Sequence, residues 1–504
     1  MIRPSFVNFL KRLIKPLAVG TLWIVFTYAV VVFNVFGIGP EPQIAAEVVV
    51  SEELMVVQTG FYYNTSIFYP DNTAVLLHFA DHRQNSTEWT CTSRNATTTL
   101  DSDALVRRAA DFAEHCYWMA HIVTCPTVLN PTEFQLTVLN STSKIGLTLE
   151  EPSRKPRGVV ACYAPMYFEQ RWQTVSMIHE LNAGWGVDLQ VHYVQSVVGD
   201  LMKLLQPMVD KGLLEFRGLD IPDFGIDLTR KLGYNPAQAT EARHQVMALQ
   251  DCFFRYRESA EFILISDPDD LFLPHHGKTL YDEFSYWKNL HPTMSAFMIP
   301  RRGSHMTTAS RLENFDVGET LKTLHISEDA GVGKSVYNPR FTETPWIHWP
   351  ALNITPYMRI SNNDSWGVHL GYFYDKAPGK RADLKNVAEY VDISRFNQSI
   401  VDYKKASLEI DDLASHKLDY KDLIGTCRRR LHALHALPKM VTYTVPCTTT
   451  TSCRFPQRDV NCNIAVRKYR TECLPFNRLC ALIPETVLAD FVKRKNGCAW
   501  GIKA

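Results

Sequence analysis

The chain has 504 residues, and its 53 Lys+Arg balance 53 Asp+Glu, so no net field draws it to nucleic acid or an acidic partner. Its 46% hydrophobic and 21% charged content excludes a disordered chain and leaves room for two to four folded domains.

Leu17 to Ile38 is a run of about 22 uncharged residues, long enough to span a hydrocarbon core of ~30 Å. Arg3, Lys11, Arg12 and Lys15 precede it and no basic residue follows closely. The positive-inside rule then predicts a cytosolic tail (1–16), a transmembrane signal anchor (17–38) and a lumenal body, the single-pass type II arrangement of a Golgi membrane protein. A cleaved signal peptide is the alternative, but signal h-regions usually run only about 7–15 residues. Sequons at Asn64, Asn85, Asn95, Asn140, Asn353, Asn363 and Asn397 fit a lumenal glycoprotein. Twelve cysteines, none spaced Cys-x-x-Cys, read as a disulfide framework and not as zinc sites. Seven of them crowd into the tail from Cys427 to Cys498. Seven is odd, so one is free or pairs elsewhere, with Cys91, Cys116 or Cys125 as candidates.

A short tether (39–47) leads to a β-rich segment (48–150), with strands expected over Val48–Val57, Ala74–Phe79 and Phe134–Leu139 and one helix over Ala104–Met119. Its function is either that of a glycosylated spacer or that of a carbohydrate-binding module. The Pro-rich joint Glu151–Gly158 marks a domain boundary. Beyond it, over 158–375, strand and helix periods alternate. Strands are expected at Val159–Tyr163, Val187–Tyr193 and Leu213–Phe216, with helical spacing from Trp172 to Leu181 and from Leu201 to Val209. A long helix, Ala237–Arg257, precedes the strand Phe262–Ile265. This βαβ order predicts an α/β fold with a Rossmann-like, doubly wound sheet. A helix at Tyr281–Trp287 and a strand at Ser295–Pro300, ending at Arg301-Arg302, come next. Gly303–Lys334 reads as a long polar loop, and 376–504 as a helical, then Cys-rich, accessory segment.

The chemistry concentrates in FILISDPDDLFLP, Phe262 to Pro274. Four apolar residues in a row suit a strand buried on both faces, and ligands bind beyond the carboxyl ends of such strands. Asp267, Asp269 and Asp270 stand there and repel one another unless a cation neutralises them, which points to a hard divalent metal. Asp267-Pro268-Asp269 fits the Asp-x-Asp of a nucleotide-sugar transferase, where a metal bridges the donor diphosphate. A haloacid-dehalogenase-type phosphatase is disfavoured by Leu271, and an EF-hand loop by Leu271, Leu273 and the missing glycine. A catalytically silent carbohydrate-binding or scaffold protein on the same fold is the rival from another class.

Several blocks occur together in order: Cys162-Tyr163-Ala164-Pro165-Met166-Tyr167 with Arg171-Trp172, Arg243-His244-Gln245 through Asp251-Cys252, ISDPDD-LFLP, and Lys334-Ser335-Val336-Tyr337-Asn338-Pro339-Arg340 followed by Ile347-His348. Over about Val159–Pro350 the chain resembles glycosyltransferase family 92. The resemblance implies a GT-A fold, a UDP-galactose donor, Mn²⁺ (or Mg²⁺) dependence and inverting transfer of galactose to a glycan acceptor. It makes Asp267 and Asp269 the metal and donor motif, with Asp270 matching an acidic residue common after it. Pro268 departs from the more usual aliphatic residue. His348 is the expected third metal ligand, and Lys334 and Arg243 are expected donor-binding residues. Inversion needs a carboxylate base, for which Glu313 and Asp316 are the candidates.

Overall fold

The computed structural model describes residues 53–82, 88–110, 116–138, 143–240, 244–370, 373–374, 385–390, 392–393, 399–408 and 420–435, and 447–498 apart from 448, 450–451, 454–457, 475–478 and 496. The expected anchor and tether lie outside these residues. Among the described residues no helix is long and apolar enough to cross a membrane. The chain divides into a large unit, Val49–Cys427 with Pro446–Ala504, and a small one, Met1–Val48 with Arg428–Val445. All the contacts that follow belong to the large unit.

The principal sheet is mixed. Its strands run in the order Leu214–Gly218, Leu189–Val194, Arg157–Met166, Ala260–Ser266, His325–Tyr337, Ala296–Thr307, Gly367–His369, Asp270–Phe272. The first four are parallel and, numbered along the chain, read 3-2-1-4. His325–Tyr337 then runs antiparallel to both its neighbours. In a 3-2-1-4 set the strand order reverses between the first and fourth strands, and the crevice outside their carboxyl ends is the ligand site.

The apolar run behaves as its pattern demands. Phe262 and Leu264 enter one core with Val159, Ala161 and Trp172, while Ile263 and Ile265 enter another with Val160, Leu249 and Phe253. The sheet is therefore covered on both faces, and alternation within one strand feeds two cores. Helix Trp172–Gly184 packs into the first core. Helix Gln245–Tyr256, buried at every residue, packs into the second and is tied to the strand Arg157–Met166 by Cys162–Cys252.

On its far side that helix is roofed by the N-terminal strands. Glu53–Tyr63, Thr73–Asp81, Trp118–Pro126 and Leu105–Arg108 form a sheet whose one face, with Phe61, Tyr63, Val75 and Leu77, shares the core of Leu249 and Phe253. Its other face packs on a four-stranded sheet, Thr99–Asp103, Trp89–Arg94, Glu133–Val138, Ile145–Leu147. Contacts cross the Glu151–Gly158 joint: Tyr63 Oη donates to the Phe254 carbonyl at 2.8 Å, and Arg255 pairs with Glu150 at 2.7 Å. The β-rich segment is thus fused to the α/β segment through a common core.

The tail is equally built in. Leu479–Pro484 pairs in parallel with Glu53–Tyr63 and antiparallel with Tyr469–Cys473, extending the N-terminal sheet. Cys462–Val466 pairs with Ser196–Val198 of the α/β region. All twelve cysteines are paired, and Cys116–Cys447 resolves the odd count in the tail.

Three local expectations are corrected. Within Ala104–Met119, Leu105–Arg108 is an edge strand on Trp118–Pro126, because cross-strand pairing overrides its helical spacing. The long helix begins only at Gln245, after a 3₁₀ turn at Pro236–Gln238, since His244 before it is left-handed at φ +63° and breaks any helix running through it. Gly303–Lys334 is not one loop: it completes the strand Ala296–Thr307, forms helix Val317–Lys322 and begins the strand His325–Tyr337. Of its acidic residues, Glu328 and Asp329 lie on the exposed part of that last strand.

Candidate active site

The strand Ala260–Ser266 ends in a four-residue turn in which the Asp270 N–H donates to the Asp267 carbonyl at 3.0 Å. Pro268 is the second residue of that turn, where its fixed φ is suited and its missing N–H is not required. The departure from an aliphatic residue therefore fits the local backbone. The turn sends the three carboxylates into the crevice at different angles, each to its own cation.

Asp267 meets the Lys334 ammonium at 2.9 Å and accepts from Gln245 Nε2 at 3.0 Å. Burial pushes its carboxyl up, but Lys334, aided by Arg301 and opposed by Asp269, holds it below the usual carboxylate range. Asp269 takes Nη1 of Arg171 at 2.7 Å. Asp270, only 1% exposed, is held at both oxygens by Arg301 Nη1 and receives His369 Nδ1 at 2.8 Å. Burial disfavours the His369 imidazolium, yet the Asp270 hydrogen bond and the charges of Asp269 and Asp270 raise its pKa.

Sheet register explains this convergence. His369 is the direct cross-strand partner of Asp270. Arg301 lies opposite Gly367 on the next strand, which brings its guanidinium over Asp270. Lys334 follows the pairing of Val336 with Leu264 outward to the end of the Asp-bearing strand. Arg171 precedes the helix that follows the first strand, so both sides of the switch point contribute.

Asp267, Asp269 and Asp270 converge as the sequence predicts, and Lys334 joins them. Its side chain is wholly buried against Asp267, so it supports that carboxylate and presents no surface to solvent. His348 is outside the tight Asp269–Asp270–His369 group, yet it stands near enough to Asp267, Lys334 and Arg301 to feel their charges. Its Nδ1–H donates to the Gly333 carbonyl at 2.8 Å, and its ring sits between Trp346 and Trp349. The late histidine within that group is His369: one ligand atom each from Asp269, Asp270 and His369 lie within 4.8 Å of one another. Asp316 caps helix Val317–Lys322 by accepting the Glu319 N–H at 2.8 Å, and Glu313 is an exposed side chain 3.5 Å from Arg311. Arg243 lies outside the described residues.

Sequence reasoning missed His369, Arg301 and the Arg171 contact. Arg301 is visible in the sequence as half of an Arg-Arg pair closing a strand, and Arg171 as part of the Arg171-Trp172 block. No spacing rule links them to acids 98 and 31 positions away. His369 carries no local signal beyond following an apolar residue.

Two carboxylates and an imidazole form a mixed oxygen–nitrogen set that suits a Mn²⁺-class ion better than Ca²⁺. Fold and site together define an α/β domain with an acidic, cation-balanced ligand crevice at its topological switch point.

Residues 157–407 match the model of Glycosyltransferase family 92. Through this domain the chain belongs to glycosyltransferase family 92. Relatives include the Caenorhabditis elegans glycosyltransferase family 92 proteins F13G3.3, 26% identical over 59% of this chain, and F59C6.8, 27% identical over 59%. The matches span 59% and 57% of those relatives' own lengths. Among solved structures, S. aureus TarS 1–349 in complex with UDP-GlcNAc is 11% identical, with a TM-score of 0.23 over 57% of this chain and 69% of that one. So slight a likeness carries no argument.

Proposed function

We propose that this protein is a metal-dependent glycosyltransferase of GT-A type that moves a hexose, galactose from UDP-galactose, onto a glycan acceptor with inversion. The observation that carries the proposal is the meeting of Asp269 and Asp270 with His369 at the switch-point crevice of the family domain. A bound Mn²⁺ would supply charge stabilisation for the departing diphosphate. Asp269, Asp270 and His369 would hold that ion, with Asp267 kept ionised beside them by Lys334. Arg301 keeps Asp270 charged and fixed, so the site is oriented before the donor arrives.

For the acceptor's proton, Glu313 is the proposed base. The Asp316 carboxylate is committed to a helix cap, whereas the loop carrying Glu313 packs beside the helix start that bears Arg171, through Trp172 on Phe315 and Gln173 on the Ala309 carbonyl. The lumenal, type II Golgi setting is part of the same proposal. It is supported by six disulfides, by exposed sequon residues Asn64, Asn353 and Asn363, and by the apolar run 17–38.

The deciding experiment gives the purified full chain a panel of UDP-sugars with and without Mn²⁺. UDP release that needs Mn²⁺ and is fastest with UDP-galactose is the expected result. No metal-dependent release or transfer with any donor overturns the proposal.

A further inference from the structure

The cations on the three carboxylates are not held alike. Arg301 closes on both oxygens of a buried Asp270 and is fixed by the Val332 carbonyl at 2.9 Å. Lys334 is enclosed against Asp267. Arg171 differs, because it has a carboxylate of its own outside the acidic cluster. Its Nε and Nη2 fork onto the buried Glu169 at 2.9 and 2.6 Å, and only Nη1 reaches Asp269, at 2.7 Å. Glu169 in turn accepts the backbone N–H groups of Gln170 and Arg171, which lock its orientation.

We propose that Arg171 is a stand-in cation on Asp269, which a divalent ion must displace, so that ion and diphosphate enter the site together. This rests on the donor-metal reading above. If Nη1 lets go, the bidentate pair with Glu169 still neutralises Arg171, and no unpaired charge is left buried. At Asp269 the exchange therefore costs one charge-assisted hydrogen bond. An ion without its diphosphate meets carboxylates already matched by Arg171, Arg301 and Lys334, and gains little. The diphosphate brings the negative charge that makes room for a further cation.

The test is Mn²⁺ binding to the chelator-stripped full chain by titration calorimetry, with and without UDP, in the wild type, Arg171→Met and Glu169→Gln. Wild-type protein should bind Mn²⁺ weakly alone and at least about tenfold more tightly with UDP. Arg171→Met should tighten nucleotide-free binding by about tenfold, the worth of one hydrogen bond to a charged group. Glu169→Gln should loosen it, since Arg171 then turns its full charge on Asp269. Opposite shifts are not what general damage produces. An Arg171→Met protein with an unchanged melting temperature and unchanged or weaker Mn²⁺ affinity overturns the proposal. Should that variant not fold, unchanged or tighter binding by Glu169→Gln overturns it. Equal wild-type affinity with and without UDP removes this inference and leaves the donor-metal reading standing. No Mn²⁺ binding by any form, with or without UDP, removes both.

Discussion

His369 and His348 divide one expectation between them. A late histidine does reach the acids, the one whose strand pairs with Asp270, while His348 is oriented by the Gly333 carbonyl near Asp267. His369→Ala should therefore abolish Mn²⁺-dependent UDP binding; calorimetry on that variant checks this. The three aspartates were legible in the sequence because repulsion among close carboxylates is a local fact. Their cations were not, because register and chain crossings bring them in. A second residue-scale effect lies beneath the site. His179 bridges Gln190 and His192 inside the core, and burial lowers its pKa to about 4. Unfolded, it titrates near 6.5 and binds more protons than the folded form between those values, so stability falls as pH drops through that window. At pH 5 this one group costs about 2 kcal/mol. The melting temperature should drop from pH 7 to pH 5, and less steeply in His179→Asn.

Among the elements, the antiparallel pair Ala296–Thr307 and His325–Tyr337 carries both Arg301 and Lys334, and its close fit hangs on one glycine. A Cβ at Gly333 would lie 1.8 Å from the Ile299 carbonyl oxygen, whereas one at Gly331 would have its nearest neighbour, the Arg301 carbonyl, at 3.9 Å. Gly333→Ala should thus destabilise by roughly 3 kcal/mol or more, and Gly331→Ala by less than about 1. Thermal melts of the two variants separate the cases. Sequence reading puts a long polar loop here and no strand, since the polar residues before Gly331 mask the period of two. The parallel strands were legible for the opposite reason: burial on both faces leaves unbroken apolar runs, as in Phe262–Ile265. The helix at Gln245 was half legible. Its apolar face was plain, but its start is set by His244, a buried residue at φ +63° that turns the chain and packs on Phe79 of the N-terminal sheet.

At the scale of the whole molecule, the β-rich, α/β and tail segments share cores. The roof over helix Gln245–Tyr256 is N-terminal sheet, and the two strands at one edge of that sheet are tail. A chain truncated after Asn461 loses Cys462–Val466, Tyr469–Cys473, Leu479–Pro484 and Asp490–Arg494 together. It should fail to yield folded protein, whereas an independent accessory tail would be dispensable; the yield of folded, protease-resistant protein at the two lengths, measured side by side, decides. No local pattern announces a pairing across such distance, which is why the tail looked separable.

The parallel pairing of Glu53–Val56 with Leu479–Leu482 also sets a clock. The two partners are separated by roughly 400 residues. At translation rates of ~5–20 residues per second, the first strand waits on the order of 20–80 s for its neighbour to be made. Throughout that interval an apolar strand shows an open edge, the template for pairing with other chains. The nascent protein therefore depends on being shielded while it is synthesised, and its yield is governed by how well the host covers that edge.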